Sequence, residues 1–481
     1  MNRSISRGSR PSAAAMVAVC AALLGGCASF SNDGGFDAVR QVARERLNQD
    51  LEWRRSAEPG GGVSVRVDEL LAKPLSVDDA VQIALLNNRG LQANFFDLGI
   101  SEAELVQAGR LPNPHFSMFR ASRVENGVRE FKIEQALTFN IFSLLILPQA
   151  VEVEKRRFEQ TKHVVSEAVL RLAADTRKAF YAAVAAEESV RYMAQVMEAA
   201  EASAELARRM AQVGNFSRLQ RAREQNFYAD AALNFARSEQ ASFAARERLI
   251  RLMGLWGAQT TFTLPSRLPD LPKAAEDLPD VEAVAVSQRL DLLGIRVQTE
   301  ALARNLGLTR TTRFINVFEL GPARVLEGSR SEPYKNGYEV SFELPLFDWS
   351  GAKVARAEAI YMQALNVAAD AAVQARSEVR EAYVNYRSAF DIARHHREEI
   401  VPLRKRIADE NLLRYNGMLI GVFELLADAR AQIASINAAI EAQRDFWIAQ
   451  SDLDMAMFGR SPASSPLPRS AMSSGDRAGG H

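Results

Sequence analysis

Residues 113–139 have the sequence NPHFSMFRASRVENGVREFKIEQALTF, which contains two extended runs joined by a short polar turn. The runs cover residues 113–124 and 128–139, and the turn between them is Glu-Asn-Gly. Asn-Gly between two such runs is a strong signal for a β-hairpin, because both residues tolerate the positive φ angles of a tight turn. The segment therefore predicts two antiparallel strands.

A second pair of strands is predicted at residues 313–321 and 338–347, separated by a longer polar loop that contains Pro322 and Pro333. In the last run apolar and polar side chains alternate: Tyr338, Val340, Phe342 and Leu344 against Glu339, Ser341 and Glu343. Because successive side chains of a strand point to opposite faces, this strand has one apolar and one charged face. Such alternation is typical of a transmembrane barrel, with lipid on one side and water on the other.

The number of predicted strands limits how a barrel can form. Strands of roughly 9 to 11 residues are long enough to cross an outer membrane at a tilt. Known single-chain barrels begin at about 8 strands, and open sheet edges are not tolerated in hydrocarbon. Four strands therefore predict that several chains share one barrel. The alternative is a soluble arrangement in which the two hairpins cover a helical body.

Two stretches, residues 148–213 and 353–416, contain almost no helix-breaking residue. At about 1.5 Å per residue the first would form a helix roughly 100 Å long, which does not fit inside a compact domain. Pro402 is expected to kink the second helix. The second stretch also keeps the seven-residue register of a coiled coil. Its apolar positions are Tyr361, Leu365, Ala368, Ala372, Ala375, Val379, Ala382 and Tyr386.

Two apolar stripes run along the last predicted helix. One stripe consists of Leu426, Ala429, Ile433, Ile436, Ile440 and Trp447. The other consists of Ala427, Ala431, Ala434, Ala438 and Ala442. Two stripes predict two neighbouring helices, as in a wall of helices that closes into a cylinder. Packing in an ordinary helical bundle is the alternative.

The chain repeats its own organisation. The step from Leu91 to Pro112, at the first strand, equals the step from Leu292 to Arg313, at the third. This spacing predicts an internal duplication with a period too long for a solenoid unit. The predicted division is a first repeat at 75–269 with strands in 113–139, a second repeat at 270–459 with strands in 313–347, and a disordered tail at 460–481.

The N-terminus has the order of a secretion signal that ends at a lipidation site. Three arginines precede an apolar run at 13–24, which is too short to span a bilayer. Leu-Gly-Gly then leads to Cys27, and this order resembles the lipobox of bacterial lipoproteins, in which the cysteine sulfur is acylated. We therefore predict a signal peptide at 1–26, lipid on Cys27 and a tether at 27–74 that wraps on the body. A buried core cysteine is the alternative.

Composition and motifs argue against several functions. Lys plus Arg equals Asp plus Glu at 59 each, so no bulk charge attracts nucleic acid. We find no GxSxG elbow, P-loop, HExxH motif or cysteine pair with zinc spacing, so neither an enzyme nor a cofactor is predicted. His395 and His396 are adjacent, about 100° apart on a helix, and do not converge on one metal ion. No internal stretch reaches the roughly 20 apolar residues of a membrane-spanning helix.

Four segments carry a resemblance to a known family: LSVDDAVQIALLNNRGLQ from Leu75, GNFSRLQRAREQ from Gly214, ELPLFDWSGAKVARAEA from Glu343 and YNGMLIGVFELLADARAQ from Tyr415. Their order and spacing, together with the lipobox, resemble a lipoprotein member of the TolC family of outer-membrane efflux factors. The last segment looks most similar to the copper and heavy-metal associated branch. The resemblance implies a mainly α-helical homotrimer, with a long-helix α-barrel and a shared 12-stranded transmembrane β-barrel to which each chain gives four strands.

The resemblance also implies a function and partners. The chain would be a passive exit duct in the cell outer membrane, lipid-anchored and extending into the periplasm. A periplasmic adaptor (membrane fusion) protein and an inner-membrane RND-type transporter would open it and drive efflux of small molecules or metal ions. Two alternatives stay open: the exit channel of a type I protein secretion system, and a lipid-anchored coiled-coil scaffold without a pore.

By the same resemblance, the functional residues lie at helical turns near 213–217 and 416–421. Adaptor contacts are expected at Gly214, Asn215, Gly417, Met418 and Gly421. Glu424 and Asp428 follow the second turn with i, i+4 spacing, so they share one helix face. In a trimer they imply rings of carboxylates at a periplasmic gate. The alternative is a solvated helix start, where the helix dipole favours acidic residues.

Overall fold

The computed structural model describes residues 29–55, 61–125, 127–314 and 317–460. The predicted signal peptide, the predicted lipidation site at Cys27 and the predicted tail beyond residue 460 lie outside these ranges. Across the described ranges, no helix is both long enough and apolar enough to cross a membrane.

The two halves of the chain have the same order of elements: two helices, a strand pair, and two long helical segments. An N-terminal helix pair precedes the first set. The first half contains α1 (Phe36–Leu47), α2 (Gly61–Leu71), α3 (Val77–Asn87), α4 (Arg89–Ala108), β1 (His115–Glu125), β2 (Val128–Asn140), α5 (Ile141–Gln212) and α6 (Arg218–Met253). The second half contains α7 (Val281–Gln288), α8 (Leu290–Thr312), β3 (Phe318–Gly328), β4 (Lys335–Phe342), α9 (Gly351–His395), α10 (Val401–Asn416) and α11 (Val422–Phe458).

The strands of both halves form one antiparallel sheet in the order β1-β2-β3-β4. The predicted first hairpin is confirmed, since β1 and β2 pair continuously from His115 opposite Thr138 to the turn. Pairing of β2 with β3 joins the two hairpins. The two outer strands, β1 and β4, therefore form the edges of the sheet.

The second strand pair is displaced from its predicted position. Because α8 continues through Thr312, the third strand begins only at Phe318, and it includes Pro322, which the sequence placed in a loop. The pairing of β2 with β3 has a gap between Leu320 and Ala323. Proline has no N–H to donate to a sheet ladder, so it is tolerated at such a gap.

Gly321 lies in the same gap, against the backbone of β2. A Cβ atom at this position would be 1.8 Å from the carbonyl oxygen of Leu137 and 2.7 Å from the Cα atom of Thr138. Only glycine therefore allows the two backbones to approach this closely.

The first long helix, α5, has 72 residues and is roughly 108 Å long at about 1.5 Å per residue. It begins at Ile141, before the predicted start, because the side chain of Asn140 caps it by accepting a hydrogen bond of 2.9 Å from the N–H of Ser143. Pro148 lies inside the helix, about two turns from its start. The helix connects the sheet directly with the turn after Gln212.

The second long helix is interrupted where the sequence predicted. Between α9 and α10 the segment His396–Ile400 forms a π-helical turn, immediately before Pro402. Because proline lacks an N–H and its ring clashes with the preceding turn, Pro402 removes a regular α-helical hydrogen bond and favours the interruption here.

Each stripe of α11 has a residue buried against a different neighbouring helix, while Ala427 and Ala434 of the second stripe are exposed. Ile440, from the first stripe, is buried in a cluster with Val184 of α5. Ala442, from the second stripe, is buried with Val379 and Tyr386 of α9. The prediction of two neighbours is confirmed, and the long helices lie side by side in the order α6, α5, α11, α9.

Equivalent positions in the two halves hold polar residues that reach the last helix of the same half. Asn88 caps α4 by accepting a hydrogen bond from the N–H of Leu91, and its amide donates to the carbonyl of Leu252 (both 2.9 Å). In the second half Arg289 precedes α8 and donates to the carbonyl of Ala456 at 3.4 Å. Each residue ties a short helix to the end of a long one.

Arg289 is also the centre of a buried ion-pair cluster. Its side chain pairs with Asp291 and with Glu378, each at 2.8 Å, and the residue is only 1% exposed. Burial raises the pKa of nearby Glu167, and the charge of Asp291 raises it further. One buried cation thus offsets two carboxylates at the junction of the two halves, and Glu167 pairs with Arg171.

The N-terminal segment is part of the hydrophobic core. Phe36 and Val39 of α1 are buried in one cluster with Phe95 of α4. The backbone N–H of Ser31 donates to the carboxylate of Glu102 at 2.6 Å. The sequence predicted a tether that wraps on the body. The described residues 29–55 contribute buried side chains to the core.

Candidate functional site

The register of the sheet divides its side chains between two faces, since alternate residues of each strand share a face. We define the charged face by its polar residues His115, Ser117, Arg123, Glu130, Lys132, Glu134, Glu319, Glu327, Lys335, Glu339 and Ser341. The apolar face is defined by Phe116, Met118, Phe131, Ile133, Leu137, Phe139, Phe318, Leu320, Leu326, Tyr338, Val340 and Phe342. The sheet is therefore amphipathic, with exceptions such as Phe119 on the charged face and Arg120 on the apolar face of β1.

Ion pairs connect neighbouring side chains on the charged face. Arg123 pairs with Glu130 at 3.0 Å, and Lys335 pairs with Glu327 at 3.5 Å. These side chains are largely exposed, so each pair contributes about 1 kcal/mol or less. The charged face is suited to contact with water.

Most side chains of the apolar face are exposed or half-buried in the single chain, and Leu326 is buried. Tyr338 is 79% exposed, and the apolar surface continues past the end of β4 to Phe347, which is 99% exposed, and Trp349. A contiguous exposed apolar surface marks a site of contact with lipid or protein. At the two edges, the part of the chain that the structure describes places no strand beside the outer sides of β1 and β4.

At the end of α5 away from the sheet, a tight turn leads into α6. Gly214 has a φ of 80°, a left-handed conformation that favours glycine. The N–H of Asn215 donates to the carbonyl of Met210 at 2.9 Å. The hydroxyl of Ser217 accepts from the N–H of Gln220 at 3.1 Å, and the Gln220 side chain accepts from the N–H of Ser217 at 2.6 Å. This reciprocal cap fixes the start of α6.

The second turn, between α10 and α11, is built differently. Here Met418, not Gly417, has the positive φ, at 58°. The side chain of Met418 is 93% exposed, and Leu419 beside it is also exposed. Gly421 precedes the first residue of α11. The sequence identified both turns, and the residue with the unusual backbone conformation in the second is the methionine.

The two turns together form one end of the helical wall, which we call the helical tip. Exposed apolar side chains of the tip are Val213, Leu219, Leu413, Met418 and Leu419. Charged groups lie on α5 nearby, where hydrogen bonds from Arg208 and Arg209 lower the pKa of Glu205 to about 2. The tip thus combines exposed apolar side chains with charged groups nearby.

The predicted gate residues lie just beyond the second turn. Glu424 is exposed in the first turn of α11, and Asp428 is half-buried one turn later. The amide of Asn411, on α10, donates to the carboxylate of Asp428. Within one chain, Asp428 is therefore hydrogen-bonded inside the α10–α11 hairpin, and Glu424 is exposed to solvent.

A buried ion pair near the tip was missed from the sequence. Glu224 of α6 is 2% exposed, accepts a hydrogen bond of 3.0 Å from the hydroxyl of Ser203, and pairs with Arg430 of α11 at 3.4 Å. The guanidinium of Arg430 also stacks on the ring of Phe227 at 4.2 Å. The pair links the two helical hairpins. The sequence offered one sign of this pair. Glu224 lies seven residues before the buried Ala231, which places the two on the same helix face.

Metal binding has little support in the described ranges, where no group of three or more His, Cys, Asp or Glu residues could hold an ion. His395 instead has its Nδ1 atom 3.2 Å from the carboxylate of Glu399.

The structure joins an amphipathic four-stranded sheet with open edges to helices of up to 72 residues. No protein-family model and no curated protein matches the sequence. Solved structures of other proteins do match in fold.

The CusC outer-membrane protein has a TM-score of 0.67 at 16% identity, covering 80% of this chain and 92% of CusC. The CmeC outer-membrane channel of Campylobacter jejuni has a TM-score of 0.69 at 17% identity, covering 79% and 85%. The MtrE outer-membrane channel of Neisseria gonorrhoeae has a TM-score of 0.64 at 17% identity, covering 80% and 89%. The chain thus has the fold of the TolC-family channels, as the sequence resemblance implied.

Proposed function

We propose that the chain is the outer-membrane channel subunit of a tripartite efflux system, a passive exit duct for small molecules or metal ions. The observation that carries this proposal is the amphipathic sheet with two open edges. A charged face suits a water-filled lumen and an apolar face suits lipid, but the edges must be closed before the sheet can enter hydrocarbon.

A homotrimer closes those edges with identical copies. Three copies with four strands each supply twelve strands, which is within the range of known transmembrane barrels. In that arrangement β4 of one copy pairs with β1 of the next. The side-by-side long helices would continue around the same axis and form a tunnel into the periplasm.

The energy for transport must then come from partners. We propose that a periplasmic adaptor protein contacts the helical tip at Gly214, Asn215, Gly417, Met418 and Gly421, and that an inner-membrane RND-type transporter drives export. The exposed Met418 supports this surface, because flexible methionines suit adaptable protein contacts.

Reconstitution of the purified protein in planar bilayers tests the channel function. We expect discrete ion conductance from a species with three times the mass of one chain. A monomeric rod without conductance would instead support the scaffold alternative. Copurification with an ABC exporter in place of an RND-type pump would instead support the exit channel of a type I protein secretion system.

The lipid anchor can be tested separately at Cys27, which lies outside the described residues. Wild-type protein should incorporate labelled fatty acid, and Cys27→Ser should abolish the labelling, because the sulfur is the acylated atom. Ala28→Ser, beside the cysteine, is the matched control and should still be labelled. Labelled Cys27→Ser protein would contradict the anchor assignment.

The gate assignment predicts a change in conductance. Replacing Glu424 and Asp428 together with alanine should raise basal conductance several-fold and weaken block by Mg²⁺, because rings of carboxylates attract divalent cations. Glu441→Ala, an exposed acid in the middle of α11, should behave like the wild type. Single-channel recording distinguishes the variants, and unchanged conductance in the double variant would refute the gate.

A further inference from the structure

The apolar face of the sheet carries arginines but no acid on its strands. Arg120 lies opposite Ile133, and Arg324 lies opposite Gln135, so both belong to the apolar face. All described acidic side chains of the strands lie on the charged face. The arginines are therefore separated from the carboxylates that pair with Arg123, Lys132 and Lys335.

Aromatic rings hold these guanidinium groups in place. The ring of Phe131 lies between Arg120, at 5.8 Å, and Arg330 of the β3–β4 turn, at 5.2 Å. Arg324 lies 4.9 Å from the ring of Tyr334. A guanidinium stacked on a ring keeps its N–H edge available for a bidentate acceptor. We call Arg120, Arg324 and Arg330 the arginine cluster.

The charge around the cluster is predominantly positive. Arg120, Arg324 and Arg330 are all exposed, and Arg129 lies on the same face near the turn of the first hairpin. Arg324 donates to the amide oxygen of Gln135 at 2.6 Å, which leaves its charge unneutralised. Glu332 in the β3–β4 turn approaches the same face at Gly328.

The height of the cluster on the sheet follows from the register. Below it, towards the helices, three successive rows of the face are apolar and end at Tyr338, Val340 and Phe342. Each row spans roughly 6.8 Å along a strand. The apolar surface then continues to Phe347 and Trp349. Arg324 and Arg120 therefore lie in the next two rows, beside Met118, Ile133 and Leu326, on the side of the three apolar rows away from the helices.

Position decides whether such arginines are tolerated beside lipid. An arginine on the lipid face of a barrel costs about 2 to 4 kcal/mol at the bilayer midplane and about 0 to 1 kcal/mol near the interface. On the side of the three apolar rows away from the helices, the cluster would lie near headgroup level, where phosphate groups are available. Arginine forks match phosphate geometry through two parallel N–H···O bonds.

We propose that the arginine cluster binds the phosphate groups of phosphorylated lipid in the outer leaflet of the outer membrane. The inference rests on the proposed function, in which the sheet spans this membrane with its hairpin turns outward. The ligand would sit against the outside of the barrel, with its phosphates on Arg120, Arg324 and Arg330 and its acyl chains along the apolar rows.

The probe is bisphosphorylated lipid A, compared with its dephosphorylated form, added to the purified channel in detergent and measured by native mass spectrometry. The wild type should bind the phosphorylated form about tenfold more tightly or better, which corresponds to about 1.4 kcal/mol. Combined Arg120→Gln, Arg324→Gln and Arg330→Gln should remove this preference. The matched control, Arg123→Gln with Lys132→Gln and Lys335→Gln, removes three cations from the charged face and should retain it.

The outcomes separate this inference from the proposed function. A trimeric, conducting variant that has lost the preference supports the lipid site. Unchanged preference in that variant overturns the site while the channel stands. Equal competition by millimolar inorganic phosphate would show a soluble-anion site and also overturn it. A wild type that is neither trimeric nor conducting overturns the proposed function, and the lipid site with it.

Discussion

Gly321→Ala is expected to prevent formation of a conducting channel. The new Cβ atom would lie 1.8 Å from the carbonyl oxygen of Leu137, so β2 and β3 would have to separate at the junction of the two hairpins. The backbone of β2 cannot move aside as a flexible side chain can. We therefore expect the free energy of unfolding to fall by on the order of 3 kcal/mol. Because this junction joins two strands from each half, its opening should also prevent closure of the barrel.

Gly337→Ala is the matched control, since a Cβ at that position on β4 meets nothing within 4 Å in the described structure. Alanine lowers the conformational entropy of the unfolded chain relative to glycine. This variant should therefore be as stable as the wild type or slightly more stable. Trimer yield in detergent and bilayer conductance compare the two variants. A fully assembled, conducting Gly321→Ala protein would contradict the close approach of β2 and β3.

Arg289→Ala is expected to destabilise the chain by about 3 to 5 kcal/mol, because removal of the buried partner of an ion-pair cluster is strongly destabilising. The carboxylates of Asp291 and Glu378, each 2.8 Å from the guanidinium, would lose that cation. The junction already disfavours negative charge, since burial raises the pKa of Glu167. Urea unfolding followed by circular dichroism measures the effect.

Arg380→Ala provides the comparison, because Arg380 pairs with Glu282 at 3.3 Å on the surface and its loss should cost about 1 kcal/mol or less. Removing the charges together should rescue much of the stability. We therefore expect Arg289→Met with Asp291→Asn and Glu378→Gln to be more stable than Arg289→Ala. Equal stability of Arg289→Ala and Arg380→Ala would show that the cluster does not stabilise the junction.

Local signals in the sequence predicted much of the fold. The Asn-Gly turn located the first hairpin, because turn geometry is determined by the residues of the turn itself. The absence of breakers located the long helices, and the two stripes of α11 predicted its two neighbours. Pro402 located the interruption of the second long helix. The missing N–H of a proline removes a helical hydrogen bond whatever the tertiary surroundings are.

Errors and omissions arose where tertiary contacts override local preference. Pro322 indicated a loop, yet it lies in β3 because a gap in the ladder to β2 accepts it. The roles of Arg289 and of Glu224 with Arg430 depend on partners far away in sequence. A single sequence shows such residues only as polar positions on otherwise apolar faces.

The candidate site could be predicted only in part. The sequence located both turns of the helical tip, and the structure adds that Met418 rather than Gly417 has the left-handed conformation in the second. The gate at Glu424 and Asp428 stays a prediction, because a ring of carboxylates requires the neighbouring copies. The arginine cluster was not predicted, since it becomes visible only when the register assigns each strand residue to a face.

The central claim, that other copies of the chain close the open sheet, can be tested by cysteine cross-linking between its edges. Ser117→Cys on β1 would be combined in turn with Gly337→Cys, Glu339→Cys or Ser341→Cys on β4. Within one chain β1 and β4 are three strand spacings of roughly 4.8 Å apart, which is beyond the reach of a disulfide. We predict that at least one pair gives a covalent trimer under oxidising conditions. The shared barrel would be contradicted if all three pairs gave only monomers. This result requires a check that the cysteines have not been oxidised by other thiols.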